Sequence, residues 1–315
     1  MNKFALLCPG QGAQSAQMFN LARQHAGAAS FIQDVLKQTI NQHTLADVLS
    51  STELLFENRY AQPLLVAATL AHWLALKEHL PVPDMVAGYS VGEVAAHAVS
   101  GSLDVHAALE LATARAALMQ ACVLQPQRML AISGVAVADI RHFAASHDLY
   151  VAIITADNKA IVAGLETQLI AAMPHIATLP GHDITYTEIA VHVASHTPLM
   201  QAAVPGFAQV LENTLKNAAM RDTDVAVLAG ITGEPVTTMA AIRSSLLAQM
   251  TQTIQWHACM DALAENGIRF ALELGPGSAL SKMLQVRHPQ IACRSVADFR
   301  SLEGVVQWVQ RQREN

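Results

Sequence analysis

The chain has 315 residues, 52% of them hydrophobic and 14% charged, enough apolar material for one large core or two joined ones. A net charge of −6 and a pI near 6.1, with no long run of Lys or Arg, argue against nucleic acid or anionic lipid as partners. Four cysteines, Cys8, Cys122, Cys259 and Cys293, stand far apart with neither disulfide nor zinc spacing, and read as buried reduced thiols of a cytoplasmic protein.

In chain order, "KFALLCPG" reads as a strand cut off by Pro9-Gly10, too short for the apolar region of a secretory signal. The loop "CPGQGAQ", Cys8 to Gln14, fails as a dinucleotide fingerprint because Ser15 stands where the third glycine belongs. Its glycines let the backbone and Gln11 approach a ligand at the strand end, a position that suits an oxyanion donor. "QPLLVAATLAHWLALKEHL" reads as a helix whose most apolar part, Pro63 to Leu76, carries His72 and meets Lys77, short of a membrane span. "DMVAGYS" then reads as a strand, "VGEVAAHAVSG" as a helix ending at Gly101, and "DVHAALELATARAALMQAC" as a helix with Asp104 as its N-cap. Strand alternating with helix predicts a parallel α/β sheet.

Gly88-Tyr89-Ser90-Val91-Gly92 puts a serine between two glycines at the junction of strand and helix. A sharp turn there needs small residues where backbones meet, and it pushes the Ser90 side chain out at the strand's carboxyl end. The Val91 N–H, at a helix N-terminus, could then donate to an oxyanion formed on a carbonyl that Ser90 attacks. A plain turn with a helix-capping serine has the same sequence, so the motif alone leaves both readings open. Arg115 bears on the choice: Leu111, Arg115, Leu118 and Cys122 share one helical stripe, which puts a guanidinium on an apolar face. It calls either for an internal carboxylate or for a substrate carboxylate gripped by its planar fork.

From Pro126 to Val193 the pattern changes to strand, helix, two strands, helix, strand, the split βαβ order of a small inserted subdomain. The expected division is 1–125 with 194–315 for the large unit and 126–193 for the small one. Fourteen histidines make any one of them a weak signal. His196 is favoured by the small-residue approach "VASH" at an expected strand end before a helix near Pro198, with His192 second. Glu93, in the first turn of its helix, reads as a structural counter-charge to the helix dipole. "GPGSAL", Gly275 to Leu280, reads as a turn lining the pocket floor, with Glu273 as a structural partner.

With "PGQGAQ", "GYSVGE", Arg115 in "ATARAALMQ", "VASH", "QTIQW" and "ELGPG" in the same order, the chain resembles the malonyl-CoA:acyl carrier protein transacylases over nearly its whole length. The resemblance implies an α/β-hydrolase-like large domain with a mostly parallel sheet, interrupted by a ferredoxin-like α+β small subdomain. It implies Ser90 as nucleophile, His196 as general base, Arg115 as clamp for the malonyl carboxylate, and Gln11 with the Val91 amide as oxyanion hole. A main-chain carbonyl orients the family's histidine, and the matching position is Gln249. The family mostly has His and Leu flanking the serine, where this chain has Tyr89 and Val91. "GYSVGE" looks more like the transacylase subunit of malonate decarboxylase, which acts with other decarboxylase subunits and a carrier protein bearing a phosphoribosyl-dephospho-CoA arm.

The expected reaction is ping-pong transfer of malonyl from malonyl-CoA to an acyl carrier protein thiol through a malonyl-serine, with no permanently bound cofactor and no metal. The alternatives are the malonyl transacylase of fatty-acid synthesis, a serine thioesterase or hydrolase with Asp157 completing a triad, and a scaffold in which the turn is only structural.

Overall fold

The computed structural model describes residues 1–314. β1 (Lys3–Cys8) is apolar and buried at five of its six positions, as a strand covered on both faces must be. After it come α1 (Ala26–Leu36), a short hairpin of β2 (Thr39–Ile40) and β3 (His43–Thr44), α2 (Leu45–Leu49), and α3 (Asn58–Leu76), which is buried on almost all sides. β4 (Met85–Gly88) leads through Tyr89-Ser90-Val91 into α4 (Gly92–Val99), and α5 (Val105–Ala121) follows, the Asp104 carboxylate accepting from the His106 and Ala107 N–H groups as its N-cap.

The next segment holds β5 (Gln127–Val135), α6 (Val137–Ser146), β6 (Tyr150–Ala156), β7 (Lys159–Leu165), α7 (Glu166–Ile176) and β8 (Gly181–Ile189). Beyond it run α8 (Val204–Lys216), β9 (Ala226–Leu228), β10 (Pro235–Val236), α9 (Met239–Ala248), β11 (Ile254–Gln255), α10 (Trp256–Glu265), β12 (Ile268–Glu273), α11 (Ala279–Arg287), β13 (Ala292–Ser295) and α12 (Leu302–Glu314).

The large sheet has the order β10-β9-β4-β1-β12-β13 and is parallel except for β10. It is the mostly parallel α/β architecture expected. β4 and β1 are neighbours, so the Ser90 turn and the Gln11 loop emerge side by side at the carboxyl edge, where open α/β sheets present their ligands.

In the second sheet, β6, β7, β5 and β8 are neighbours in that order and all antiparallel, with α6 and α7 as the crossovers of the split βαβ arrangement. These strands run from 127 to 189, inside the expected 126–193. A fifth strand, β11, pairs in parallel with β6 although it comes from the flanking segment, so the small sheet borrows a strand from the large unit. Alternation along the strands gives this sheet two different faces. Leu130, Ile132 and Val162 build a small core with Ile140 and Phe143 of α6 and Leu169 of α7, whereas Met129, Ile153 and Ile161 face the large unit.

Candidate active site

The turn that carries Ser90 follows from its two glycines. A Cβ on Gly88 would lie 2.3 Å from the Glu93 backbone, and one on Gly92 would lie 2.1 Å from the Cys8 carbonyl oxygen at the end of β1. No side chain fits at either position, so strand and helix start can cross this closely only with glycine. Ser90 itself takes a left-handed backbone (φ 55°), rare for a residue with a Cβ.

His196 also has a left-handed backbone (φ 62°). It does not stand at a strand end as expected: β8 stops at Ile189, and the histidine lies in the loop before a 3-10 turn that begins at Pro198. Ser90 Oγ donates to His196 Nε2 at 2.8 Å, and His196 Nδ1–H donates to the Gln249 main-chain oxygen at 2.6 Å. A carbonyl oxygen can only accept, which fixes the tautomer: the proton sits on Nδ1, and the Nε2 lone pair faces the serine. His196 is buried, and burial followed by the Arg115 cation holds it far below its ordinary value, to about 3, against the opposing pull of the Gln249 carbonyl. The imidazole is therefore neutral at pH 7 and free to accept a proton.

Ser90, His196, Gln11 and Tyr89 share a cavity of about 70 Å³ roofed by Ile153, Ile161 and Ile189 of the small sheet. The buried Gln11 Nε2 has no acceptor among the described residues. Among the described residues no hydrogen bond engages the Val91 N–H, which opens α4. Two donors next to a serine hydroxyl suit a developing oxyanion.

Arg115 is 2% exposed. Its stripe is wider than expected, with Ala112, Ala116 and Met119 buried beside it while Leu118 and Cys122 are half-buried. Its Nη1 donates to Gln62 Oε1 at 2.6 Å and its Nη2 to Gln249 Oε1 at 3.0 Å, and it has no ion pair among the described residues. Burial lowers it to about 10, with Glu93 opposing, so it remains a cation at neutral pH. Gln249 thus receives the histidine on its main chain and the arginine on its side chain. Its Nε2 donates onward to the Ser90 carbonyl oxygen at 3.2 Å and to Glu93 Oε2 at 2.5 Å.

Other expectations need correction. Glu93 stands in the first turn of α4 as expected, but it does more than face that helix: it is fully buried and accepts from the Gly230 N–H (3.0 Å), the Ser245 hydroxyl (2.6 Å) and Gln249. Asp157 is exposed and paired with Arg287, so it completes no triad with His196. His192 is exposed. The Gly275–Gly277 turn lines a separate cavity of about 330 Å³ near Ser15 and Gln24, not the floor of the Ser90 cavity. Glu273 does cap α11, accepting from the Leu280 and Ser281 N–H groups. Gln62 has no local signature in "AQPLLV" to mark it. Its amide is held by Asn58 at 2.6 Å, and Asn58 by the Ala116 carbonyl at 3.0 Å, so its role as the arginine's seat emerges only from packing.

A serine on a strand-to-helix turn, bonded to a buried neutral histidine with amide donors beside it, is the equipment of enzymes that pass acyl groups through a serine ester. The chain belongs to the acyl transferase domain family, whose model matches residues 5–312. It is 34% identical over 308 residues to the malonyl CoA-acyl carrier protein transacylase of Mycobacterium tuberculosis, covering 96% of this chain and 99% of that one. Among solved structures it is similar to MCAT from M. tuberculosis (TM-score 0.84, 31% identity, 96% and 99% covered). It is similar also to FabD from Acinetobacter baumannii (TM-score 0.88, 28% identity, 98% and 99% covered). The enzyme is an acyltransferase.

Proposed function

We propose that the enzyme moves a malonyl group from malonyl-CoA to the thiol of an acyl carrier protein. The observation that carries this reading is Arg115, a buried cation with no carboxylate paired to it among the described residues, joined to the Ser90–His196 pair through one glutamine. Such a site favours an acyl group that brings its own carboxylate. The names of the relatives support the same donor and acceptor.

In the first half-reaction Ser90 Oγ attacks the thioester carbonyl as His196 Nε2 takes its proton, and Gln11 with the Val91 N–H receives the oxyanion. Collapse expels the CoA sulfur, which takes the proton from His196 and leaves as the thiol, and the malonyl-Ser90 ester remains. In the second half the carrier thiol gives its proton to His196 and attacks the ester, and Ser90 recovers the proton. Arg115 holds the malonyl carboxylate throughout. That carboxylate offsets the Arg115 charge, which after burial is the second cause of the low His196 value, so binding relieves that part of the depression.

The relatives favour the carrier protein of fatty-acid synthesis over that of a malonate decarboxylase. Tyr89 and Val91 around the serine are the one feature on the side of the decarboxylase reading, and supplying malonyl-enzyme with each kind of carrier separates the two. Among the described residues no helix is long and apolar enough to cross a membrane, and four free cysteines with a CoA donor fit a reducing cytoplasm. The test is intact-mass measurement after mixing with malonyl-CoA. The wild type is expected to gain a stable malonyl adduct and Ser90→Ala none, and an adduct that persists on Ser90→Ala would reject the nucleophile.

A further inference from the structure

The Glu93 carboxylate has no exposed surface, and no step of acyl transfer uses it. Burial raises its affinity for protons, and Ser245, Gly230, Gln249 and the Arg115 charge pull it back. What it touches is more informative. Oε1 accepts from the Ser245 hydroxyl on α9, and Oε2 accepts from the Gly230 N–H after β9 and from Gln249 Nε2. With Nε2 turned to Glu93, the Gln249 side-chain oxygen Oε1 must turn the other way, and there it meets Arg115 Nη2 at 3.0 Å. The amide therefore stands between an acid and a cation, its dipole aligned with both.

From this geometry we propose that Glu93 is a positioning residue: it holds the Gln249 amide so that the arginine clamp and the histidine base stay in one fixed relation. The proposal rests on the malonyl-transfer reading and adds what that reading lacks, a reason why a buried acid near Arg115 does not cancel it. A direct Glu–Arg pair would occupy the fork that the substrate carboxylate needs. Spaced by one amide, Glu93 steadies the cation and leaves donors of the guanidinium, which has five N–H bonds, for the substrate. Removing the acid leaves Gln249 Nε2 only its longer bond to the Ser90 carbonyl oxygen, so the seat of Arg115 on Oε1 loosens while Gln62 keeps the other.

The test compares acylation of Ser90 by malonyl-CoA and by acetyl-CoA, read as CoA release under single-turnover conditions, in wild type, Glu93→Gln and Gly230→Ala. Gly230→Ala leaves the acid in the chain but puts a Cβ 2.7 Å from Glu93 Oε2, pushing the carboxylate off Gln249; it keeps the question answerable should Glu93→Gln fail to fold. For Glu93→Gln the malonyl-to-acetyl ratio of kcat/KM is expected to fall at least tenfold, with the malonyl KM carrying most of the loss. Gly230→Ala is expected to fall in the same direction by less. Equal losses for both donors, or an unchanged ratio in a folded variant, would mean that Glu93 is a structural brace and overturn the proposal. A wild type with no preference for malonyl would instead overturn the functional reading beneath it.

Discussion

On the proposed reading, the unneutralised charge of Arg115 selects the acyl group. Its partners among the described residues are two glutamine side-chain oxygens, which direct it without neutralising it. A charge-assisted bond to a carboxylate is worth about 1.5–3 kcal/mol, so Arg115→Ala is expected to slow malonyl loading by about one to two orders of magnitude while acetyl loading changes little. Rates of CoA release from the two thioesters measure this. Equal losses would show that the arginine serves the fold and not the acyl group. Ser90 is legible because its motif is contiguous, and Arg115 because helical periodicity puts it on an apolar face. The links that make them a site span 137 to 156 positions for Glu93 and 134 for Arg115 to Gln249, and no local pattern encodes such pairings.

Among the elements, the crossing of β1, β4 and α4 is the most demanding. Alanine for glycine inside an ordinary helix gains about 1 kcal/mol, but at Gly92 the added methyl would sit inside the Cys8 carbonyl. The sign should reverse: Gly92→Ala is expected to lose about 1–3 kcal/mol by overpacking, seen as a lower urea midpoint. A gain would mean that the β1 end moves aside freely. The alternation of strand and helix around this crossing was readable because each element announces itself within a dozen residues. β11 was not. Two residues carry no periodicity, and Ile254-Gln255 becomes a strand only because the edge of β6 stands beside it. The departure of His196 from its expected strand end has a similar origin, since "VHVAS" alternates like a strand yet lies beyond the last pairing of β5 with β8 at Ile189.

For the molecule as a whole, buried ionisable groups set the response to acid. His72, His97 and His196 are shifted by burial from 6.5 to about 4, 3 and 3, so as pH falls below 6.5 the unfolded chain binds three protons that the native state refuses. Glu93 and Glu273, both raised, the latter to about 7, act in the opposite sense down to 4.5, where the unfolded carboxylates begin to protonate as well. Each uncompensated proton costs about 1.4 kcal/mol per pH unit. Stability is therefore expected to fall as pH drops below 6.5 and to fall more steeply below 4.5, as urea midpoints across that range would record; stability that held or rose would contradict the assignment of the buried histidines. This framework also bears the twisted backbones of Ser90 and His196, each a conformation that costs on the order of 1–3 kcal/mol outside glycine. Glycine at either place would relax the chain and, on the proposed mechanism, remove the nucleophile or the base with it. At these two positions selection for a sturdier protein and selection for a working one are opposed, and the surplus of packing elsewhere is what lets the second prevail.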